Sequence, residues 1–340
     1  MLRVGLLGCG RISKNHFEAI AAQKDARCMM CCDIIEERAR DAAVKYNIPN
    51  WTKSYEEVLN DPDIDLISIC TPSGLHPEHG IMAARHGKHV ITEKPMGCRL
   101  KEADALIKAC DDAGVKLFVV LQNRLNPAIQ MVRKALDEGR FGRIYMIQAN
   151  VFWTRPQEYY DMAPWRDTWE FDGGAFMNQA CHYVDMVQWI GGPIESVVAQ
   201  AVTLERNIEA EDTGCAICHF KKGGLASINV TMLTYPKNME GSITILGEKG
   251  TVKVGGIAMN TILHWEFSDK QDYDNQIQES ATNPDSVYGY GHKGYYRNVI
   301  DNINTGIKPI ADGRSGRKSL ELLEAIYKSN LSRKVVGLPL

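Results

Sequence analysis

Lys94 stands between a carboxylate and a proline in VITEKPMG (90–97), at the end of a short apolar run. A lysine there is either half of a Glu93–Lys94 surface pair, worth little, or a group that handles protons. A partly desolvated amine near another positive charge has a depressed pKa and exchanges protons near neutrality. Pro95 disfavours helical backbone at the residue before it, so the Lys94 side chain leaves an extended segment. Position alone leaves both readings open. A second polar set lies in WEFDGGAFMNQACHYVDMVQW (169–189), where a glycine pair precedes a helical pattern over about 175–190. Asn178, His182, Asp185 and Trp189 recur at spacings of three and four and on one helix share a face. A lone helical histidine is more often structural than catalytic. An amide one turn before it turns this face toward a polar site.

GLLGCGRIS (5–13) places Gly8 and Gly10 after an apolar run and before a helical stretch. The first glycine permits a tight turn, and the second lets a pyrophosphate approach a helix N-terminus, where free N–H groups and the dipole favour anions. Arg11 and Ile12 complete the turn, and Ser13 takes the third fingerprint position as a small residue. Asp33 ends the second run, about 20 residues on, where an acid that binds the ribose belongs. It would also serve as a cap for a helix over 35–46. A carboxylate there with no basic residue directly after it (DIIEE, 33–37) suits NAD better than NADP. CTPSGLHPEH (70–79) follows the run DLISICT, so Thr71, Pro72, Ser73 and His76 fall at the edge where an open parallel sheet binds its ligand. A plain turn with a helix cap is the alternative, and the position favours a cofactor-lining role.

These residues need elements to hold them. The first third alternates apolar runs, LRVGLLG, RCMMCCD, DLISICT, KHVITEK and KLFVVLQ, with helix-like stretches near 11–23, 35–46, 75–86 and 100–113. Continuous apolar strands separated by helices indicate a parallel sheet covered on both faces, a doubly wound α/β domain. After residue 124 a helix over 127–138 leads to a strand over 143–153. Strands then follow at 194–206, 212–220, 225–234, 242–247 and 250–254. That run indicates a second α/β domain with a large, open, mostly antiparallel sheet. Helices over 291–304 and 314–330 close the chain. The domains are placed at 1–124 and 125–340, with the helix 314–330 a candidate to pack back on the first.

Composition narrows the class. A chain of 340 residues suggests two domains. Net charge −3 argues against a nucleic-acid partner, which asks for a basic face. No apolar run reaches the roughly 18 residues of a membrane span, and MLRVGLLGCGR reads as a first strand rather than a signal peptide. Two C-x-x-C pairs, Cys28/Cys31 and Cys215/Cys218, could be zinc half-sites, but both fall in strands, where residues three apart point to opposite faces. Buried free thiols are the better reading, with no metal and a reducing, cytoplasmic compartment.

G-x-G after the first strand, TPS-x-x-H, EKP and the later GG…H-x-x-D resemble the glucose–fructose oxidoreductase / inositol dehydrogenase (Gfo/Idh/MocA) family over essentially the whole chain. The resemblance implies a Rossmann domain joined to an open-sheet domain that mediates dimers or tetramers, and NAD-dependent oxidation of a sugar or cyclitol hydroxyl. By resemblance Lys94 is the catalytic lysine, His182 its partner with the hydroxyl proton, and Glu93 a neighbour of the nicotinamide ribose. Many members have Asp where this chain has Asn178, so the usual Asp–His pair cannot operate in that form.

W-R-x-T-W, M-N-Q, LQNRLNPA (121–128) and YGH followed by aromatics (290–296) are similar to one subgroup. Its members oxidise carbon 3 of UDP-N-acetyl-2-amino-2-deoxyglucuronate for bacterial O-antigen lipopolysaccharide, and some recycle NADH in place with 2-oxoglutarate. Arg166, with Arg155 or Arg124, is then a candidate for a carboxylate or phosphate, since guanidinium forks suit planar oxyanions. Some of these arginines could instead pin the loop 153–170. Tyr160 and Thr168 are candidates for sugar hydroxyls. Asn178 and Gln179 join Lys94 and His182 on the substrate side, and Asn123, Trp165 and Arg166 on the cofactor side. A dehydrogenase of inositol or another free sugar, an NAD-dependent glycosidase and an NAD(H) redox sensor are the alternatives. A sensor has no need of Lys94 with His182.

Overall fold

The apolar runs of the first third form strands β1 (Leu2–Leu7), β2 (Ala26–Cys32), β4 (Leu66–Ile69), β5 (His89–Thr92) and β6 (Leu117–Val119), with a short edge strand β3 (Asn50–Thr52) that the sequence reading lacks. All pair in parallel, in the order β3-β2-β1-β4-β5-β6. Every residue of β4 is buried, as a strand covered on both faces requires. The chain moves outward from β1 to β2 and β3, then returns to β4 on the other side of β1. That reversal puts the topological switch between β1 and β4, and ligands bind outside the carboxyl ends of such strands. Gly8 follows β1, Thr71–Ser73 follow β4, and Lys94 follows β5.

The computed structural model describes residues 1–277, 289 and 291–340. Its contacts divide the chain into Met1–Gln122 with His292–Leu320, and Asn123–Gly291 with Glu321–Leu340. The first unit is thus discontinuous in sequence. Helix Gly291–Thr305 sits in it through Arg297, which pairs with Asp25 at 2.7 Å, and the N–H of Val119 reaches the Ala311 carbonyl.

The second unit is built on β7 (Ile144–Phe152), β8 (Ile194–Val202), β9 (Thr213–Phe220), β10 (Leu225–Thr231), β11 (Glu240–Gly247), β12 (Gly250–Gly255), β13 (Thr261–Phe267) and β14 (Val336–Gly337). They form one sheet in the order β13-β12-β11-β7-β10-β9-β8-β14, antiparallel except for the parallel pair β7–β10. Buried and exposed residues alternate along β9, the mark of a sheet with one covered face. Cys215 is exposed and Cys218 buried, so that C-x-x-C pair does point to opposite faces. Helix Cys181–Gly191 lies on the covered face, where Gly191 is close against Phe220 and Ile147. Among the described residues no helix is long and apolar enough to cross a membrane.

Candidate active site

Gly8 turns the chain after β1 with φ +94°. A Cβ there would stand 2.8 Å from the Cys70 carbonyl, so the close approach of two backbones demands glycine. At Gly10 a Cβ would meet nothing within 4 Å. Packing therefore does not explain this glycine, and the space above it is what a pyrophosphate at the helix N-terminus would use. The Ser13 hydroxyl donates back to the Gly10 carbonyl at 2.7 Å and fixes the turn through Arg11 and Ile12. Asp33 is buried. One of its oxygens accepts the Cys9 N–H at 2.8 Å and the other the Ile35 N–H at 2.9 Å. It braces the glycine turn and the next helix start together, and the turn, helix end and acid fit a dinucleotide.

After β4, Pro72 precedes a short 3₁₀ turn (Ser73–Leu75) that runs into helix His76–Arg85. His76 is buried, its ring nitrogens 2.8 Å from the carbonyl oxygens of Thr71 and Pro95. It ties the TPS turn to the EKP segment. The Lys94–Pro95 peptide bond is cis, and Lys94 is half-buried.

Glu93 lies deeper than its resemblance-based role implies. It is 6% exposed, with Oε1 2.9 Å from His16 Nε2 and 3.7 Å from His292 Nε2, while Oε2 accepts the Lys94 backbone N–H at 3.1 Å. Burial works against the Glu93 charge, but the two imidazoles outweigh it and hold the carboxyl well below its usual range. Burial likewise opposes a charged His16, yet Cys70, Tyr296 and Glu93 raise its pKa well above the ordinary imidazole value. His16 and Ser68 are absent from the sequence reading, and His292 and Tyr296 enter it only within YGH and the aromatics that follow (290–296). The one local hint is His16 among Ser13, Phe17 and Ile20 on the buried stripe of helix Ser13–Ala21.

In the second unit the expected continuous helix is broken. Residues Ala175–Gln179 form a π-turn, Ala180 interrupts, and the α-helix runs from Cys181 to Gly191. Asn178 therefore does not share a regular helical face with His182, although both lie on consecutive turns. The first N–H groups of the π-turn are satisfied from later in the chain. Glu211 Oε1 accepts the Phe176 N–H at 2.8 Å and the Tyr327 hydroxyl at 2.9 Å, and that hydroxyl accepts the Met177 N–H at 3.1 Å. A Cβ on Gly174 would collide with the Glu211 carboxylate, which explains the second glycine of the pair. Asn178 donates from Nδ2 to Asp172 Oδ1 at 2.7 Å, and Asp172 Oδ2 accepts the Asp167 N–H at 3.0 Å. Burial, then the Asp172 and Glu211 charges, push the Asp167 carboxyl up to about 8. Burial alone leads the rise of Glu211 to about 7. His182 is buried at the second position of its helix.

The arginines separate. Arg124 is buried and gives a bidentate pair to Asp185, Nε at 2.9 Å and Nη2 at 2.7 Å. Through these two bonds it holds helix Cys181–Gly191, with its guanidinium 5.3 Å from the Trp189 ring. Arg155 donates to Gln179 Oε1 at 3.1 Å, and the Gln179 amide donates to the Tyr159 hydroxyl at 3.1 Å. Arg166 lies over the Tyr159 ring at 4.4 Å and the Trp165 ring at 4.9 Å, and its buried Nε has no hydrogen-bond partner among the described residues. Two guanidinium groups thus flank Tyr159, an aromatic residue the sequence reading passed over. The Thr168 hydroxyl donates to the Trp165 carbonyl at 2.8 Å and so caps the local turn. Tyr160 is buried against Tyr159. Asn123 is buried, with Oδ1 unpartnered among the described residues. Tyr290 of the YGH motif lies outside the described residues.

Known proteins resemble the chain along its whole length. Residues 2–121 match the family model for the oxidoreductase family NAD-binding Rossmann fold, and residues 133–338 that for the oxidoreductase family C-terminal alpha/beta domain. The WlbA dehydrogenase from Bordetella pertussis, crystallised with NADH and UDP-GlcNAcA, is 52% identical with TM-score 0.96, covering 100% of this chain and 98% of that one. The WlbA dehydrogenase from Chromobacterium violaceum, with the same two ligands, is 50% identical with TM-score 0.94, covering 100% and 96%. Myo-inositol 2-dehydrogenase of Thermotoga maritima is 26% identical over 99% of this chain and 98% of that protein.

Proposed function

The chain belongs to the Gfo/Idh/MocA oxidoreductase family and is an NAD-dependent sugar oxidoreductase, and on that premise we propose that it oxidises carbon 3 of UDP-GlcNAcA to a ketone. The observation that carries this reading is the 52% identity, over the full chain, to a dehydrogenase crystallised with NADH and that nucleotide sugar. Bound NAD⁺ supplies the hydride acceptor. Lys94 takes the hydroxyl proton and His182 is its partner. Arg155 and Arg166, flanking Tyr159, hold the uronate carboxylate or the diphosphate by charge-assisted hydrogen bonds. Asn178 and Gln179 contact the sugar from the π-turn. Positioning donor against acceptor supplies much of the rate in such a reaction.

The product is a building block for O-antigen lipopolysaccharide, made in a reducing compartment to which the ten free thiols are suited. Copies associate through the open sheet. Met146, Leu225, Leu246, Ile217 and Val198 are exposed there, and the strand register puts them on one face.

Purified protein with NAD and UDP-GlcNAcA, followed by NADH absorbance with and without 2-oxoglutarate, tests the substrate. No NADH and no keto-sugar product in either condition removes it. Lys94→Ala abolishes turnover and keeps NADH binding, whereas full turnover in that variant overturns the mechanism. Myo-inositol is the second substrate to try, on the full-length match to the inositol enzyme.

A further inference from the structure

Glu93 is a buried carboxylate for which the proposed chemistry has no use. A buried charge is retained only where partners satisfy it, and here they come from separate segments. His16, on the helix after the glycine turn, puts Nε2 at 2.9 Å from Glu93 Oε1. The Nδ1 of His16 lies 2.8 Å from the Tyr296 hydroxyl and 3.0 Å from the Ser68 hydroxyl, which are 2.8 Å from each other. His16 is therefore held at both ring nitrogens and cannot rotate without breaking a bond. With Oε1 locked, Oε2 is aimed at the backbone N–H of Lys94.

Resting on Lys94 as the proton-handling group, we propose that His16 and Glu93 are positioning residues. His16 fixes the Glu93 carboxylate, and Glu93 fixes the backbone from which the Lys94 side chain departs. Each Glu93 oxygen has a partner within the chain, Oε1 with His16 and Oε2 with the Lys94 backbone N–H. A metal held by His16, Glu93 and His292 is the competing occupant, since their ligand atoms lie within 4.8 Å of one another. Tetrahedral zinc ligands at 2.0–2.1 Å from the ion stand roughly 3.3 Å apart, and the 2.9 Å between His16 and Glu93 is a hydrogen-bond distance.

The test compares wild type with His16→Phe, His16→Gln and Glu93→Gln. Each variant is read by exchange of the Lys94 amide hydrogen, by NADH fluorescence titration, and by kcat and KM with NAD and UDP-GlcNAcA. The expected result is Lys94 exchange at least tenfold faster in His16→Phe and Glu93→Gln. It is joined by a kcat loss of 10- to 100-fold, an NADH Kd within threefold of wild type, and partial recovery of both properties in His16→Gln. Unchanged exchange overturns the proposal, as does faster exchange with an unchanged kcat. Zinc retained by wild type at one ion per chain after dialysis, and lost in His292→Ala, overturns it in favour of a metal site. A wild type inactive on UDP-GlcNAcA strikes the substrate assignment alone. Amide exchange, with kinetics on myo-inositol, then decides the positioning role.

Discussion

Asp172 Oδ1 accepts the side-chain amide of Asn178 at 2.7 Å. Ionised carboxylates only accept hydrogen bonds, so this contact sets which end of the Asn178 amide faces Asp172 and which faces away. It also explains why an amide, and not an acid, occupies position 178. Two carboxylates at that distance cannot both ionise. Asn178→Asp is expected to lose about 1–3 kcal/mol of stability at pH 8, the cost of a mispaired buried polar group, and most of its turnover. Asp172→Asn in the same chain reverses the polarity of the pair and restores the melting temperature. A thermal-unfolding cycle over the four proteins measures the coupling. Strictly additive losses would show that Asp172 does not set the amide.

The Arg124–Asp185 pair gives a second expectation, of stability alone. Both groups are buried and joined by two parallel hydrogen bonds. Breaking such a pair strands a charge in the interior, at a cost of about 3–5 kcal/mol, whereas apolar replacement of both partners is often close to neutral. Arg124→Met and Asp185→Leu singly should each lower the unfolding free energy by that amount, with the double variant recovering most of it. Urea unfolding provides the measurement. A single variant as stable as wild type, yet with a raised KM for UDP-GlcNAcA, would place Arg124 at the substrate.

The two pairs also show where sequence reading stops. Gly8, Gly10 and Asp33 are legible because turn geometry and strand ends are local, and five of the six first-sheet strands announce themselves as apolar runs. Strand β3 escapes because three residues make no pattern. Strand β13, TILHWEF, has the composition of a strand and only weak alternation of burial. The parallel pairing of β7 with β10 joins residues some 80 positions apart, as Asn150 with Asn229, and no local signal encodes it. Nor does any encode His16 with Glu93, or Arg124 with Asp185. Each is a polar residue whose role is set by a partner that only the fold supplies. The break at Ala180 escapes as well. The run from 175 to 190 reads as one helix, and the structure divides it into the π-turn Ala175–Gln179 and the helix Cys181–Gly191.

Asp167 carries the pH expectation. It sits in left-handed backbone at φ +49°, buried, with Oδ2 unpartnered among the described residues. Burial and the neighbouring Asp172 and Glu211 raise its carboxyl to about 8. The folded chain therefore holds a proton that the unfolded chain releases near the ordinary carboxylate value of about 3.9. An acid with a raised folded pKa contributes stability that is complete below the unfolded value and is lost as pH climbs toward the folded one. Glu211, raised to about 7, adds in the same direction over a narrower window. Wild-type stability should fall between pH 6 and pH 8, with Asp167 contributing on the order of 2 kcal/mol of that fall. Asparagine keeps the shape and tolerates the left-handed backbone, so Asp167→Asn should remove that share of the slope and melt higher than wild type at pH 8. Differential scanning calorimetry at pH 6, 7 and 8 reads both effects. Parallel curves for the two proteins would mean that Asp167 is ionised in the folded chain across that range.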